Sequence, residues 1–317
     1  MDVLALSGGV QMTDPAIRTE GLSKFYGPVH ALSDLSFEVP PGEVFGFLGP
    51  NGAGKTTTIR LLLGLIRPTA GKAEIFGLDC HRRVVEVHQR ITYVPGEAGL
   101  WPSLTGEETL HLLGRVHGTV DESYRDELIK RLDLDVSRKI RTYSRGNRQK
   151  VILIAALMSR PDLMIFDEPT SGLDPIVEHE FRHLVDEARG RGQTIFLSSH
   201  ILSEVEALCD RVGILREGRL IEIGTLAQMR HLSAMTMEVT FADEVPDLSK
   251  VPGVAGLQVA GRKVNLQLVG PVKPLLEVLA AFNVSELISR EPSLEELFLS
   301  LYGEGDLGER ADERGQI

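Results

Sequence analysis

The run Gly49-Pro50-Asn51-Gly52-Ala53-Gly54-Lys55-Thr56-Thr57 has the spacing G-x-x-x-x-G-K-[ST], which suits the binding of phosphate. Glycines let the backbone curl so that successive N–H groups point inward at phosphate oxygens. The start of a following helix adds partial positive charge. Lys55 brings a full charge to β- and γ-phosphates, and the Thr56 hydroxyl is a ligand for Mg²⁺. A chance glycine-rich turn is the competing reading. A strand expected over 44–48 and a helix expected to run on to about Ile66 are the context that the motif requires.

A second chemical feature is Leu163-Met164-Ile165-Phe166-Asp167-Glu168, an apolar run ending in two carboxylates. As a buried strand it delivers Asp167 to the carboxyl edge of a sheet, where nucleotides bind in α/β folds. Asp167 is the natural Mg²⁺ partner, through water or from behind the ion's direct ligands. Glu168 is placed to orient and deprotonate an attacking water. Alone such a strand is weak evidence; downstream of a phosphate loop it is strong.

These residues need a scaffold, and the chain has material for one. It has 317 residues, 42% of them apolar, enough for one large domain and a smaller one. Strand candidates at 17–40, 44–48, 73–76, 91–94, 163–166 and 194–198 alternate with helical periodicity at 107–134, 144–158 and 176–191. Continuous apolar strands between helices indicate an α/β fold with a mainly parallel sheet. After about Leu232 the pattern changes. Short alternating strands at 237–241, 257–259 and 264–268, a turn at Gly261-Arg262 and helices at 271–282 and 292–301 indicate a small α+β unit. The divisions expected are a disordered leader over 1–16, a large domain over 17–230 with a helical insertion at about 97–155, an accessory domain over 231–302 and a disordered tail over 303–317.

Composition narrows the partners. A formal net charge of -11 argues against nucleic acid as a partner, since that role usually brings a basic face. Cys80 and Cys209 lie far apart without metal-ligand spacing and read as idle thiols. The longest apolar runs, 61–66 and 151–158, fall far short of the roughly 20 residues of a spanning helix. Any membrane-spanning part is expected in another chain.

Four further segments resemble one family, the ATP-binding cassette (ABC) ATPases, in order and spacing over residues 17–225. Tyr143-Ser144-Arg145-Gly146-Asn147-Arg148-Gln149 resembles the family's signature loop, commonly LSGGQ, and 169–175 its D-loop. Ser198-Ser199-His200 resembles the segment bearing its switch histidine, and Tyr26 the aromatic that stacks on adenine. The resemblance implies a P-loop NTPase cassette with an antiparallel β subdomain and a helical subdomain beside the parallel core. It implies ATP and Mg²⁺ as ligands. Glu168 and His200 would be catalytic, and Thr56 and Asp167 the metal ligands. Tyr26, Gly49, Asn51, Gly52, Ala53, Gly54, Lys55, Thr56 and Thr57 would hold nucleotide in one copy. Ser144, Gly146, Asn147 and Asp174 would complete the site from a second copy, as a homodimer, or from a related cassette. A separate integral membrane permease would place the chain at the cytoplasmic face of the cell membrane.

The signature departs from the common form: Arg145 stands for the middle glycine, either near phosphate or facing solvent, and Asn147 for glutamine. The Q-loop glutamine falls on Gly96, leaving water or Glu97 to link that loop to the metal. This Tyr-Val-Pro-Gly-Glu run, Trp101-Pro102-Ser103-Leu104-Thr105 and the signature together resemble actinobacterial drug-export ATPases of the daunorubicin and tetronasin type. The helical stripe Leu294, Leu297, Phe298 and Leu301 is expected to bury on its own domain or on a dimer partner. Trp101 lines a groove for the membrane subunit or packs inside the helical insertion. Efflux of drugs or other amphipathic molecules is the expected function. A non-transport ABC ATPase acting on ribosomes, DNA or metal-cluster assembly is the alternative. A plain P-loop kinase or GTPase lacks the signature and D-loop.

Overall fold

The computed structural model describes residues 14–97, 99–118, 120–231 and 235–290. The leader up to residue 13, the helix expected at 292–301 and the tail at 303–317 lie outside the described residues. The chain divides into two compact units, one up to Ile223 and one from Gly224.

In the first unit, β1 (Ile17–Tyr26) and β2 (Val29–Val39) form a hairpin that leads into β3 (Val44–Leu48). After the phosphate loop come α1 (Lys55–Leu62), β4 (Ala70–Ile75), β5 (Leu78–Asp79), α2 (Val84–His88) and β6 (Ile91–Val94). Three helices follow: α3 (Gly106–His117), α4 (Glu122–Arg131) and α5 (Arg145–Met158). The unit continues through β7 (Leu163–Asp167), α6 (Pro175–Gly190), β8 (Thr194–Ser199), α7 (Leu202–Leu208), β9 (Arg211–Arg216) and β10 (Arg219–Thr225).

One six-stranded sheet has the order β10-β9-β3-β8-β7-β6. The pairs β3–β8, β3–β9, β7–β8 and β6–β7 are parallel. Every residue of β3, β7 and β8 is buried, as covered parallel strands require. A second, antiparallel sheet, β2-β1-β4-β5, packs on it through aromatics. Phe37 of β2 lies 5.6 Å from Phe45 and 5.6 Å from Phe47 of β3, and 6.2 Å from Phe196 of β8. Burying each such ring contributes roughly 1.5–3 kcal/mol, so this cluster fixes β3, and the loop it feeds, against the second sheet.

Register explains why the chemistry converges. Leu48 pairs with Ser199 and Asp167 with Ser198, so the carboxyl ends of β3, β7 and β8 finish side by side. The phosphate loop, Glu168 and His200 all leave from that one edge. The three helices of the insertion are fixed by side-chain caps. Thr105 and Glu108 form a capping box at α3, Asp121 caps α4 and Ser144 caps α5. Arg131 on α4 binds Glu180 and Glu187 on α6, tying the insertion to the core. Cys80 and Cys209 are buried and unpaired, and burial pushes the Cys80 thiol up to about 12, so it stays protonated.

The second unit begins with α8 (Leu226–His231) and holds β11 (Met235–Phe241), β12 (Val254–Ala260), β13 (Lys263–Leu268), α9 (Lys273–Leu279) and β14 (Val284–Arg290). The sheet order is β12-β13-β11-β14, antiparallel. Alternate residues Met237, Val239 and Phe241 form its core with Val264, Leu266, Leu275 and Leu279.

Several boundaries differ from expectation. The helix after the phosphate loop ends at Leu62 rather than Ile66. Gly64 takes a φ of 66°, its N–H donates to Leu61 (3.0 Å), and the Leu65 N–H reaches back to Arg60 (2.9 Å). This is a left-handed cap that satisfies the last carbonyls of the helix. The division between the units falls at Ile223/Gly224, inside β10, rather than at 230/231. The α7–β9–β10 stretch and β14 had no counterpart in the sequence reading.

Candidate active site

The phosphate loop is held on three sides. The Ala53 carbonyl accepts from the Gly218 N–H (2.9 Å), the Ala53 N–H donates to Pro50 (3.1 Å), and the Gly54 carbonyl accepts from Thr58 (2.9 Å). Gly49 and Ala53 are buried beneath the loop. Asn51, Gly52, Gly54, Lys55, Thr56 and Thr57 line a groove of about 240 Å³. Residues 29–31 of β2 and Glu168 line it as well. Lys55 is buried, and its ammonium donates to the carbonyls of Gly49 (2.6 Å) and Pro50 (3.2 Å). Burial pushes that ammonium below its ordinary pKa, while the charges of Glu168 and Asp167 pull it back up.

Asp167 sits at the centre. Its Oδ1 accepts from the Ser198 hydroxyl (2.5 Å), and its Oδ2 from the Thr56 hydroxyl (3.1 Å). Glu168 takes a positive φ of 52°, held by its N–H to the Ser198 carbonyl (3.0 Å). Its Oε1 meets His200 Nδ1 at 2.9 Å. Backbone strain at a residue placed beside a binding groove is a feature that active sites share. Ser198 was quoted from the sequence only as part of the histidine segment; its contact with Asp167 emerges from the strand register.

The signature and D-loop stretches lie together, apart from the groove-lining residues. Ser144 is exposed, and its Oγ accepts from the Asn147 N–H (3.2 Å) as the cap of α5. Arg145 is exposed, one of the two expectations for it, and it also has a partner within the chain. Its guanidinium donates to the Ser171 hydroxyl (2.7 Å). Gly146 permits a close approach: a Cβ there would stand 2.5 Å from the Gly172 carbonyl oxygen. Gln149 donates to the Pro169 carbonyl (3.0 Å). The Asp174 carboxylate caps α6, accepting from Ile176 (3.1 Å) and Val177 (3.0 Å). Thus 144–149 and 169–174 are knitted within one chain.

A residue missed in the sequence joins these loops to the histidine. Glu204 on α7 is 2% exposed. Its two oxygens accept from Thr170 Oγ1 (2.7 Å) and Ser199 Oγ (2.5 Å). Burial raises its pKa, and the two hydroxyl donors oppose that rise. In sequence it looks like any acid on a short helix; only its four-residue spacing from His200 placed it near the site.

Other expected residues fall elsewhere. Tyr26 is exposed at the hairpin turn, with the Lys24 ammonium 5.0 Å from its ring, and is not among the residues lining the groove. Gly96 lies against the carboxylate strand, where a Cβ would come 3.1 Å from the Asp167 carbonyl oxygen, so the absent glutamine side chain coincides with close backbone packing. Glu97 is exposed. Trp101 is 50% exposed rather than enclosed by the helical insertion.

Residues 32–171 match the ABC transporter family, a span that holds the phosphate loop and the carboxylate pair. The bacitracin transport ATP-binding protein BcrA of Bacillus licheniformis is 35% identical, with 92% of this chain and 99% of that protein covered. The chain belongs to the ABC transporter family. This ABC protein is similarly 36% identical to the daunorubicin resistance ATP-binding protein DrrA3 of Streptomyces coeruleorubidus, over 92% of this chain and 98% of the relative. A solved ATP-binding subunit of an ABC transporter superposes with a TM-score of 0.64 at 34% identity, over 68% of this chain and 92% of that one. The ABC fold therefore accounts for the parallel core, the antiparallel sheet and the helical insertion.

Proposed function

We propose that this chain is the ATP-binding and ATP-hydrolysing subunit of a membrane efflux transporter for drugs or other amphipathic molecules. The observation that carries the reading is the chain of contacts Thr56–Asp167–Ser198 beside Glu168–His200, at the mouth of the phosphate loop. Relatives named for bacitracin transport and daunorubicin resistance, alike over nine-tenths of this chain, favour transport over ribosome, DNA or metal-cluster work.

In this reading the loop amides and Lys55 grip the triphosphate, and Lys55 exchanges its carbonyl partners for phosphate oxygens. Tyr26 offers an exposed ring for the adenine beside Val29, which lines the groove. The Thr56 hydroxyl and Asp167 carboxylate supply hard oxygen donors side by side, a set that fits Mg²⁺. Mg²⁺ bound there would neutralise charge on the β- and γ-phosphates. Glu168, oriented through Oε1 by His200, takes the proton of the attacking water as its oxygen bonds to the γ-phosphorus and the bond to the β-phosphate oxygen breaks. Gly96 leaves any coupling of the Q-loop to water or Glu97.

Ser144, Gly146 and Asn147 do not line their own chain's groove. We assign them, with Asp174, to the nucleotide of a second copy. The membrane partner is a separate integral permease that would hold this chain at the cytoplasmic face, with exposed Trp101 on the candidate contact surface. Among the described residues no helix is long and apolar enough to cross a membrane. Mixing Lys55→Ala and Ser144→Arg chains tests the shared site, because a mixed dimer regains one intact pair of half-sites. Restored hydrolysis supports it; two inactive variants that stay inactive when mixed sink it. Co-purification with an integral membrane chain tests the transport assignment.

A further inference from the structure

The outer face of α6 carries two histidines that the nucleotide chemistry does not use. His179 and His183 are exposed, one helical turn apart, and their Nε2 atoms approach to 3.1 Å. The rings meet edge to face, with centroids 4.5 Å apart and an interplanar angle of 84°. We propose that this pair is a binding site for a divalent transition metal, with Cu²⁺ the preferred ion.

The geometry fits a chelate. With metal–nitrogen distances of 2.0–2.1 Å, a 3.1 Å separation places the two ligands at about 98° around the ion. That lies between the roughly 90° of neighbouring ligands in tetragonal sites and the roughly 109° of tetrahedral ones. In the hydrogen-bonded pair one ring carries its proton on Nε2. Moving that proton to its own Nδ1 frees both Nε2 lone pairs with no net proton lost, and turning each ring by roughly 40° off the N–N line would aim them at one ion. The helix is rigid enough to preserve this arrangement. Asp174 caps it, Pro175 occupies its first turn, and Val177, Phe181, Leu184, Val185 and Ala188 anchor its opposite face.

The surroundings define the class of site. Among the described residues no three metal-ligating side chains converge, so two positions come from protein and the rest from water. The nearby carboxylates are committed: Glu180 and Glu187 to Arg131, Glu178 to Arg182 and Asp186 to Arg189. An imidazole pair without carboxylate ligands selects Cu²⁺ over Ni²⁺ and Zn²⁺ and discriminates against Mg²⁺, which prefers oxygen. The site is therefore separate from the ion that accompanies ATP, and its open positions make it exchangeable rather than structural.

The test is a Cu²⁺ titration of the full chain read by electron paramagnetic resonance, alone and with excess Mg²⁺. His179→Gln, His183→Gln, the double variant and His200→Ala are titrated in parallel. The expected result is one tight component with hyperfine splitting from two nitrogens, unchanged by Mg²⁺ and by His200→Ala. Each single variant weakens it by about a hundredfold, the advantage lost when a second ligand is no longer tethered. Circular dichroism without metal confirms that the variants fold. The proposal is overturned if the double variant binds Cu²⁺ as tightly as the unaltered chain, or if the two-nitrogen signal disappears with His200→Ala.

Discussion

The two ends of the ABC chemistry in this chain are built differently. At the phosphate loop, the charged groups are buried among polar partners: Lys55 donates to carbonyls of its own loop, and Asp167 is gripped by two hydroxyls. At the signature, Ser144 and Arg145 are exposed, and their hydrogen bonds serve to cap a helix and hold Ser171. The first end has the groups to bind and activate within one chain. The second is a stiffened edge whose Ser144, Gly146 and Asn147 are not among the residues lining the phosphate-loop groove. The contrast teaches that a groove and an exposed edge sit in one chain, the pairing that the proposed shared site requires.

The largest effect expected is at the first end. Glu168→Gln should reduce ATP hydrolysis by about 10²–10⁴-fold while leaving nucleotide binding in place, as loss of a general base does. Steady-state hydrolysis alongside fluorescent-nucleotide binding checks this, and equal losses in both would erase the proposed division of labour. Gly146→Ala attacks the second end. Its Cβ would press on the Gly172 carbonyl oxygen, and we expect a loss of roughly 1–3 kcal/mol in urea unfolding. Nucleotide affinity of the isolated chain should stay unchanged. Ser144→Ala should cost about 1 kcal/mol as a lost helix cap. ATP-dependent dimer formation, followed by light scattering, should fall in this variant as well; unimpaired dimers would show that the edge is not a donor.

The smallest effect concerns Glu204, which bridges the two ends. Its pKa is raised in the folded state by burial. The stability it contributes is therefore complete below the ordinary carboxylate value and is lost as pH rises through the raised one. Glu204→Gln cannot lose that proton. Denaturation measured from about pH 4 to pH 7 should show a flatter profile for the variant, with a relative gain toward neutrality. An unchanged slope would mean that the carboxylate is not protonated on folding.

Local motifs were legible because their physics is local. The phosphate loop, the strand at 91–94, the carboxylate strand and the turn at Gly261-Arg262 are each specified by neighbours in sequence. Glu204 was not legible, since a buried acid and a solvated one look alike until Thr170 and Ser199 are brought to it. The contact of exposed Arg145 with Ser171 was hidden for the same reason: the two are 26 residues apart. The overlong helix at 55–66 is a different error, because Gly64 was a stop signal in plain view but lay within an apolar run. The strands β9, β10 and β14 are short, and β10 and β14 are largely solvent-facing, so alternation gave little contrast.

The paired histidines on α6 have a practical corollary. A paramagnetic ion gripped at two points of a well-anchored helix is a spin label with almost no tether. Two copies of the chain would each carry one, and the dipolar coupling between them would measure the spacing of the copies as nucleotide is added and consumed. Opening and closing could then be followed as a distance without attaching any foreign chemical group.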